Sequence, residues 1–199
     1  MDVREGFVED GGRRLLAALE RRPVVPAVRS LGKEVEFVLA GDHAAVFVLG
    51  GDAFELIERL RGERRRPPVC VNLDLVSGVS ADVEGLRFLS RYVDGVISTH
   101  RRIIELARQA GLLSIQRLFA IDSGAVERGL RMIARAAPDF VEILPALAYP
   151  AIADYYREAC GIPVLAGGLV SDPEQVSSLL AAGASGVSAS NGDLWGYEV

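Results

Sequence analysis

Phe140-Val-Glu-Ile-Leu-Pro145, Val164-Leu-Ala-Gly-Gly168 and Gly186-Val-Ser-Ala-Ser-Asn191 are three short apolar runs separated by two amphipathic stretches, Pro150–Ala159 and Pro173–Ala182. The runs are strand length, and the stretches between them carry helical spacing. The apolar runs are nearly continuous, which suits a parallel sheet covered on both faces. Gly161 and Gly183 stand between a helical pattern and the next strand, where a left-handed cap is wanted. Ser171 or Asp172 caps the second helix, and Pro173 fits its first turn. Residues 140–191 therefore read as β-α-β-α-β, and such units are right-handed.

The same alternation extends toward the N-terminus. Further strands are expected at Val24–Val28, Ala45–Leu49, Val69–Val76, Gly95–Ser98 and Ser114–Ile121. Helical patterns fall near Glu34–Ala40, Phe54–Arg61, Val83–Tyr92, Arg101–Ala110 and Ala125–Ala136. Eight strands predict an α/β fold, a compact (β/α)8 TIM-type barrel, although 199 residues is short against the roughly 250 typical of that fold. An open doubly wound sheet is the alternative. A short first crossover and an abbreviated last helix, Asn191–Val199, reconcile the length. Residues 1–22 read as an extra N-terminal helical extension and residues 23–199 as a single barrel domain. Arg4–Arg22 places Leu15, Leu16 and Leu19 on one side of that helix. It covers the barrel floor, replaces an outer helix, or mediates a homodimer.

Composition narrows the function. The net charge is −5 at pH 7, so a nucleic-acid role needs a local basic patch. No apolar run approaches a membrane span, and the acidic N-terminus lacks a secretory h-region. A cytoplasmic protein is the expectation. Cys70 and Cys160 have no metal-ligand spacing and read as reduced thiols, with no metal site and no cofactor expected.

In barrels of this kind, ligands sit at the carboxyl ends of the strands. Gly167 and Gly168 end the seventh predicted strand, and Ser188, Ala189 and Ser190 end the eighth. Two successive small-residue loops let backbone N–H groups approach an anion, which predicts a phosphate site. Asn72 and Asp74 share the inward parity of the third strand, and Glu142 that of the sixth. These polar groups, with Arg117 on the neighbouring strand, are expected to meet ligand hydroxyls or to form an internal salt bridge. Arg29 ends the first strand and either reaches an anion or pairs at the surface. Asp82 and either Asp122 or Ser123 read as N-caps. Basic candidates for a phosphate backbone are Arg64, Arg65 and Arg66, and on the ligand rim Arg101 and Arg102.

Several segments together resemble the glycerol-3-phosphate-responsive antiterminators of bacteria, the GlpP-type proteins. They are PAVR (26–29), NLDLVSGV (72–79), GVIST (95–99), IQRLFAIDS (115–123), PDFVEILP (138–145), AGGLV (166–170) and SASN (188–191), with Leu194 and Trp195. The likeness spans about Pro23 to Trp195. The chain departs at Asn72, where the family usually has His, and at His100, where it has Lys or Arg. The resemblance implies a non-catalytic regulator on a barrel fold. Its effector would be glycerol 3-phosphate and its partner the leader mRNA of glycerol-utilisation genes, with no DNA and no membrane involved. An enzyme acting on a small phosphorylated substrate is the alternative. In that case Asp74, Glu142 and His100 would be catalytic. A sensor working through a protein partner is a third reading.

Overall fold

Each βα repeat becomes one stave of a closed barrel. The computed structural model describes residues 3–61 and 65–198, with side chains from residue 11 onward. In chain order the elements are α1 (Val3–Leu19), β1 (Val24–Val28), α2 (Lys33–Ala40), β2 (Val46–Val48), β3 (Gly51–Asp52) and α3 (Ala53–Leu60). Then come β4 (Val69–Asn72), β5 (Val76–Ser77), α4 (Val83–Leu89), β6 (Gly95–Ser98), α5 (Arg101–Gln109), β7 (Leu113–Phe119) and α6 (Ser123–Ala136). The chain closes with β8 (Phe140–Leu144), α7 (Tyr149–Ala159), β9 (Val164–Gly167), α8 (Pro173–Ala181) and β10 (Gly186–Ala189). The barrel runs β1-β2-β4-β6-β7-β8-β9-β10 and returns to β1, every pair parallel. The predicted (β/α)8 architecture is thus the one observed, and the open sheet is not.

Period-two alternation divides the buried residues between two cores. Val24, Val46, Val71, Val96, Val141 and Val187 pack outward against the helices. Val25, Phe47, Cys70, Ile97, Ile115, Phe140 and Leu165 fill the lower lumen, and Leu15 and Leu19 of α1 belong to that same cluster. α1 therefore covers the barrel floor, the first of the three roles open to it. Leu15 and Leu19 stand four residues apart on one face. Leu16 lies about a hundred degrees round the helix and is 36% exposed, so it does not share their side as expected. Gly186 must be small here, since a Cβ would come within 2.7 Å of the Leu19 side chain. Burial pushes the Cys70 thiol well above its ordinary range, which keeps it protonated.

Capping follows the sequence signals. Asp82, Asp122 and Asp172 accept hydrogen bonds from the first-turn amides of α4, α6 and α8, and Asp52 does so for α3. Gly111, Gly161 and Gly183 take left-handed conformations before β7, β9 and β10. The third predicted strand is shorter than expected. It stops at Asn72, turns through Leu73–Leu75, and resumes as β5, which pairs with β3 in a separate two-stranded ribbon. The final helix is reduced to a 3-10 turn at Gly192–Leu194. Beyond it, Trp195 packs back and donates from its indole N–H to the Ala189 carbonyl at 2.9 Å. Among the described residues no helix is long and apolar enough to cross a membrane.

Candidate ligand-binding site

The strands β1, β7, β8, β9 and β10 end around a small cavity of about 120 Å3 in the barrel mouth. Its wall includes Ala27, Arg29, Arg117, Glu142, Gly168, Leu169, Ser188, Ala189 and Ser190. The base of the cavity is an ion pair. Glu142 is 2% exposed and Arg117 9%. Arg117 Nε donates to Glu142 Oε2 at 2.7 Å, and its Nη2 lies within ion-pair distance of the same oxygen, also 2.7 Å. Ser188 Oγ donates to Glu142 Oε1, also at 2.7 Å. Register explains the pair: Arg117 of β7 and Glu142 of β8 are direct partners, both pointing inward. Two charges taken from water need this saturation, since a lone buried carboxylate would be costly. The pair is neutral as a unit.

Gly167 and Gly168 play different parts. A Cβ on Gly167 would lie 2.3 Å from Ser188 Oγ and 2.8 Å from Glu142 Oε1. This glycine is small because the carboxylate network occupies its side-chain space. Gly168 has φ +79° and turns the chain across the mouth, and its carbonyl accepts from the Ala146 amide at 3.2 Å. Leu169 follows at φ +63°, a conformation rare for a residue with a bulky side chain, and is 78% exposed on the rim. The loop after β10 is tied to this one. Asn191 Nδ2 donates to the Ser171 carbonyl at 3.0 Å, and Asn191 Oδ1 accepts from the Asp193 amide. Ser190 is exposed in the cavity wall.

The predicted site residues thus separate. Gly168, Ser188, Ala189, Ser190, Arg117 and Glu142 meet in one cavity, with Gly167 behind its carboxylate. Ser188 spends its hydroxyl on Glu142, and Ala189 spends its carbonyl on Trp195. Asn72 and Asp74 do not line the cavity. Asn72 is buried, and its Oδ1 accepts from the Asp74 amide at 3.1 Å. Asp74 accepts from Ser98 Oγ at 2.5 Å, from the Thr99 amide at 2.7 Å and from Thr99 Oγ1 at 2.8 Å. The parity argument placed Asp74 in the lumen, but the strand ends before it, and the carboxylate turns sideways to hold the β6 loop.

Of the two fates weighed for Arg29, the surface ion pair is not the one observed among the described residues. Arg29 lines the mouth and makes no ion pair among the described residues. Its place at the end of the first strand marked it in the sequence, but only barrel closure brings β1 beside β10. Among the basic candidates, Arg64 lies outside the described residues. Arg66 is held by Asp94 at 2.5 Å and by the Tyr92 carbonyl at 2.8 Å. Arg101 pairs with Glu105 at 3.3 Å, while Arg65 and Arg102 are exposed. Among the described residues no three His, Cys, Asp or Glu side chains group as metal ligands.

The family "Glycerol-3-phosphate responsive antiterminator" matches residues 24–195. The chain belongs to that family. The match includes every strand of the barrel and the whole mouth cavity, and leaves α1 outside. The chain is similar to the crystal structure of the glycerol uptake operon antiterminator regulatory protein from Listeria monocytogenes, with 34% identity and a TM-score of 0.80. That match covers 88% of this chain and 96% of the Listeria chain. An antiterminator-related protein of Thermotoga maritima gives 29% identity and a TM-score of 0.77, covering 89% and 99%. The Escherichia coli protein YgcP is 28% identical over 186 residues, which is 91% of this chain and 95% of that one. A deoxyribose-phosphate aldolase from Coccidioides immitis, at 15% identity and a TM-score of 0.65, shares the fold.

Proposed function

We propose that this antiterminator takes glycerol 3-phosphate in the mouth cavity and that the occupied state acts on the leader mRNA of glycerol-utilisation genes. The phosphate rests on Arg29, Gly168 and Ser190, and the glycerol hydroxyls turn inward to Arg117 and Glu142. The observation that carries this reading is the charge arrangement. Arg117 is paired with Glu142, whereas Arg29 in the wall has no ion-pair partner among the described residues and can meet a dianion. Size agrees: about 120 Å3 is well below the roughly 300–1,000 Å3 of drug-sized sites and suits a ligand of few heavy atoms. Glu142 already accepts a hydrogen bond at each carboxylate oxygen and is ion-paired with Arg117, which suits a fixed binding group better than a proton carrier. The single lysine, Lys33, begins α2, away from the cavity wall. Both points favour binding over turnover.

Calorimetric titration tests the site. Glycerol 3-phosphate should bind and glycerol should not. Arg29→Ala should weaken binding by about tenfold or more, since a hydrogen bond to a charged group contributes about 1.5–3 kcal/mol. Equal binding of glycerol, or unchanged affinity in Arg29→Ala, would overturn the assignment.

A further inference from the structure

We infer that RNA docks at the floor of the barrel, on a groove between α1 and the strand starts, and not on the effector rim. This rests on the antiterminator reading above. The groove has a volume of about 480 Å3, four times that of the mouth cavity. Arg14, Leu15, Ala18 and Arg21 form one wall, while Ala44, Pro68, Val93 and Leu113 belong to the other. Its base is therefore apolar and its edge carries arginine. That combination suits an unpaired nucleotide, whose base needs an apolar seat and whose phosphates need cations.

Charge decides which face. Arginines near helix C-termini are ordinary partners of the helix dipole, which accounts for Arg59, Arg87, Arg108, Arg135 and Arg157 in the last turns. Arg21, Arg65 and Arg91 are outside any last turn, exposed, and without an ion pair among the described residues. Arg21 lines the groove, and Arg91 follows its lining residue Ser90. Arg65 precedes Arg66, which is bonded to the groove's Asp94. The carboxylates that face the groove are already engaged: Asp94 by Arg66 and Asp42 by Arg22. The opposite face differs. There Arg29, Lys33, Arg102 and Arg128 share the rim with the cap carboxylates Asp52, Asp82, Asp122 and Asp172. In a protein of net charge −5, the floor groove offers a polyanion arginines beside carboxylates, Asp42 and Asp94, that are already engaged.

The test is an electrophoretic shift of a transcript of the leader upstream of the organism's own glycerol-utilisation genes, run across salt with the full chain. Arg21→Ala/Arg65→Ala/Arg91→Ala should weaken RNA binding roughly ten- to a hundredfold and lower the salt slope by about 2. Arg101→Ala/Arg102→Ala should leave both unchanged. Glycerol 3-phosphate affinity, measured in parallel, should hold in both variants and shows that the barrel is intact. Full RNA affinity in the triple variant, or its loss in the rim variant, overturns the floor site while leaving the antiterminator reading in place. Capture of an acidic protein by the wild type but not by the triple variant, with RNA affinity unchanged, overturns it in favour of a protein partner. Absence of RNA binding in the wild type overturns the RNA arm of the reading itself, and the floor site with it.

Discussion

Gly167 shows how one residue type can carry two different meanings. In sequence, Gly167 and Gly168 look alike, and both suit a phosphate loop. In the barrel, Gly168 adopts φ +79°, whereas Gly167 is small because Glu142 and Ser188 fill its side-chain space. Gly167→Ala should therefore cost about 1–3 kcal/mol by overpacking, read from the denaturant midpoint. Ser188→Ala should partly relieve that cost, because the nearest obstacle is its hydroxyl. The double variant should be more stable than the sum of the two singles predicts. Strict additivity would show that Ser188 is not the obstacle. Arg117 and Glu142 are a related case. Their types and parity were legible, and a salt bridge between them was one of the readings. The third partner, Ser188 Oγ at 2.7 Å, comes from a strand 46 residues away and was not legible.

At the scale of elements, boundaries departed from the sequence reading where a side chain competed with the ladder. Val69–Val76 alternates well enough to predict one strand, yet β4 ends at Asn72. Asn72 Oδ1 takes the Asp74 amide, and Asp74 takes three donors from the β6 loop. Such local bonds offer the backbone an alternative to pairing. The consequence is that Asp74 holds Ser98 and Thr99 in place. Asp74→Ala should cost about 3 kcal/mol, because it strips a charged acceptor from three donors. It should change glycerol 3-phosphate affinity less than threefold. A folded variant that loses its ligand would return Asp74 to the hydroxyl-binding role. The N-caps Asp82, Asp122 and Asp172 were readable because their chemistry is local, within three residues of the bond they make.

At the scale of the whole molecule, the floor and the mouth are built from different parts of the chain. α1 lies outside the residues matched to the family, yet Leu15 and Leu19 complete the inner core. Leu19→Ala should cost about 3 kcal/mol, the usual range for emptying a fully buried leucine site. A loss below about 0.5 kcal/mol on urea unfolding would mean that α1 rests on the barrel without sealing it. The polarity of the barrel also separates charge. Aspartate caps gather at the mouth and the last-turn arginines at the floor, since every outer helix runs antiparallel to its strand.

The sequence by itself determined the repeating βα pattern, the positions of the helix caps to within a residue and the family likeness, because each is written in short-range spacing or in ordered motifs. It pointed to a closed barrel, and the structure decided against the open sheet. Only the tertiary structure decided which polar groups share a cavity. Parity places a side chain on one face of a strand, but whether it reaches the ligand depends on where that strand ends and on which strand lies beside it. Barrel closure sets β1 against β10, which brings Arg29 to a cavity built mostly by residues 117–190. No spacing within the chain encodes that contact.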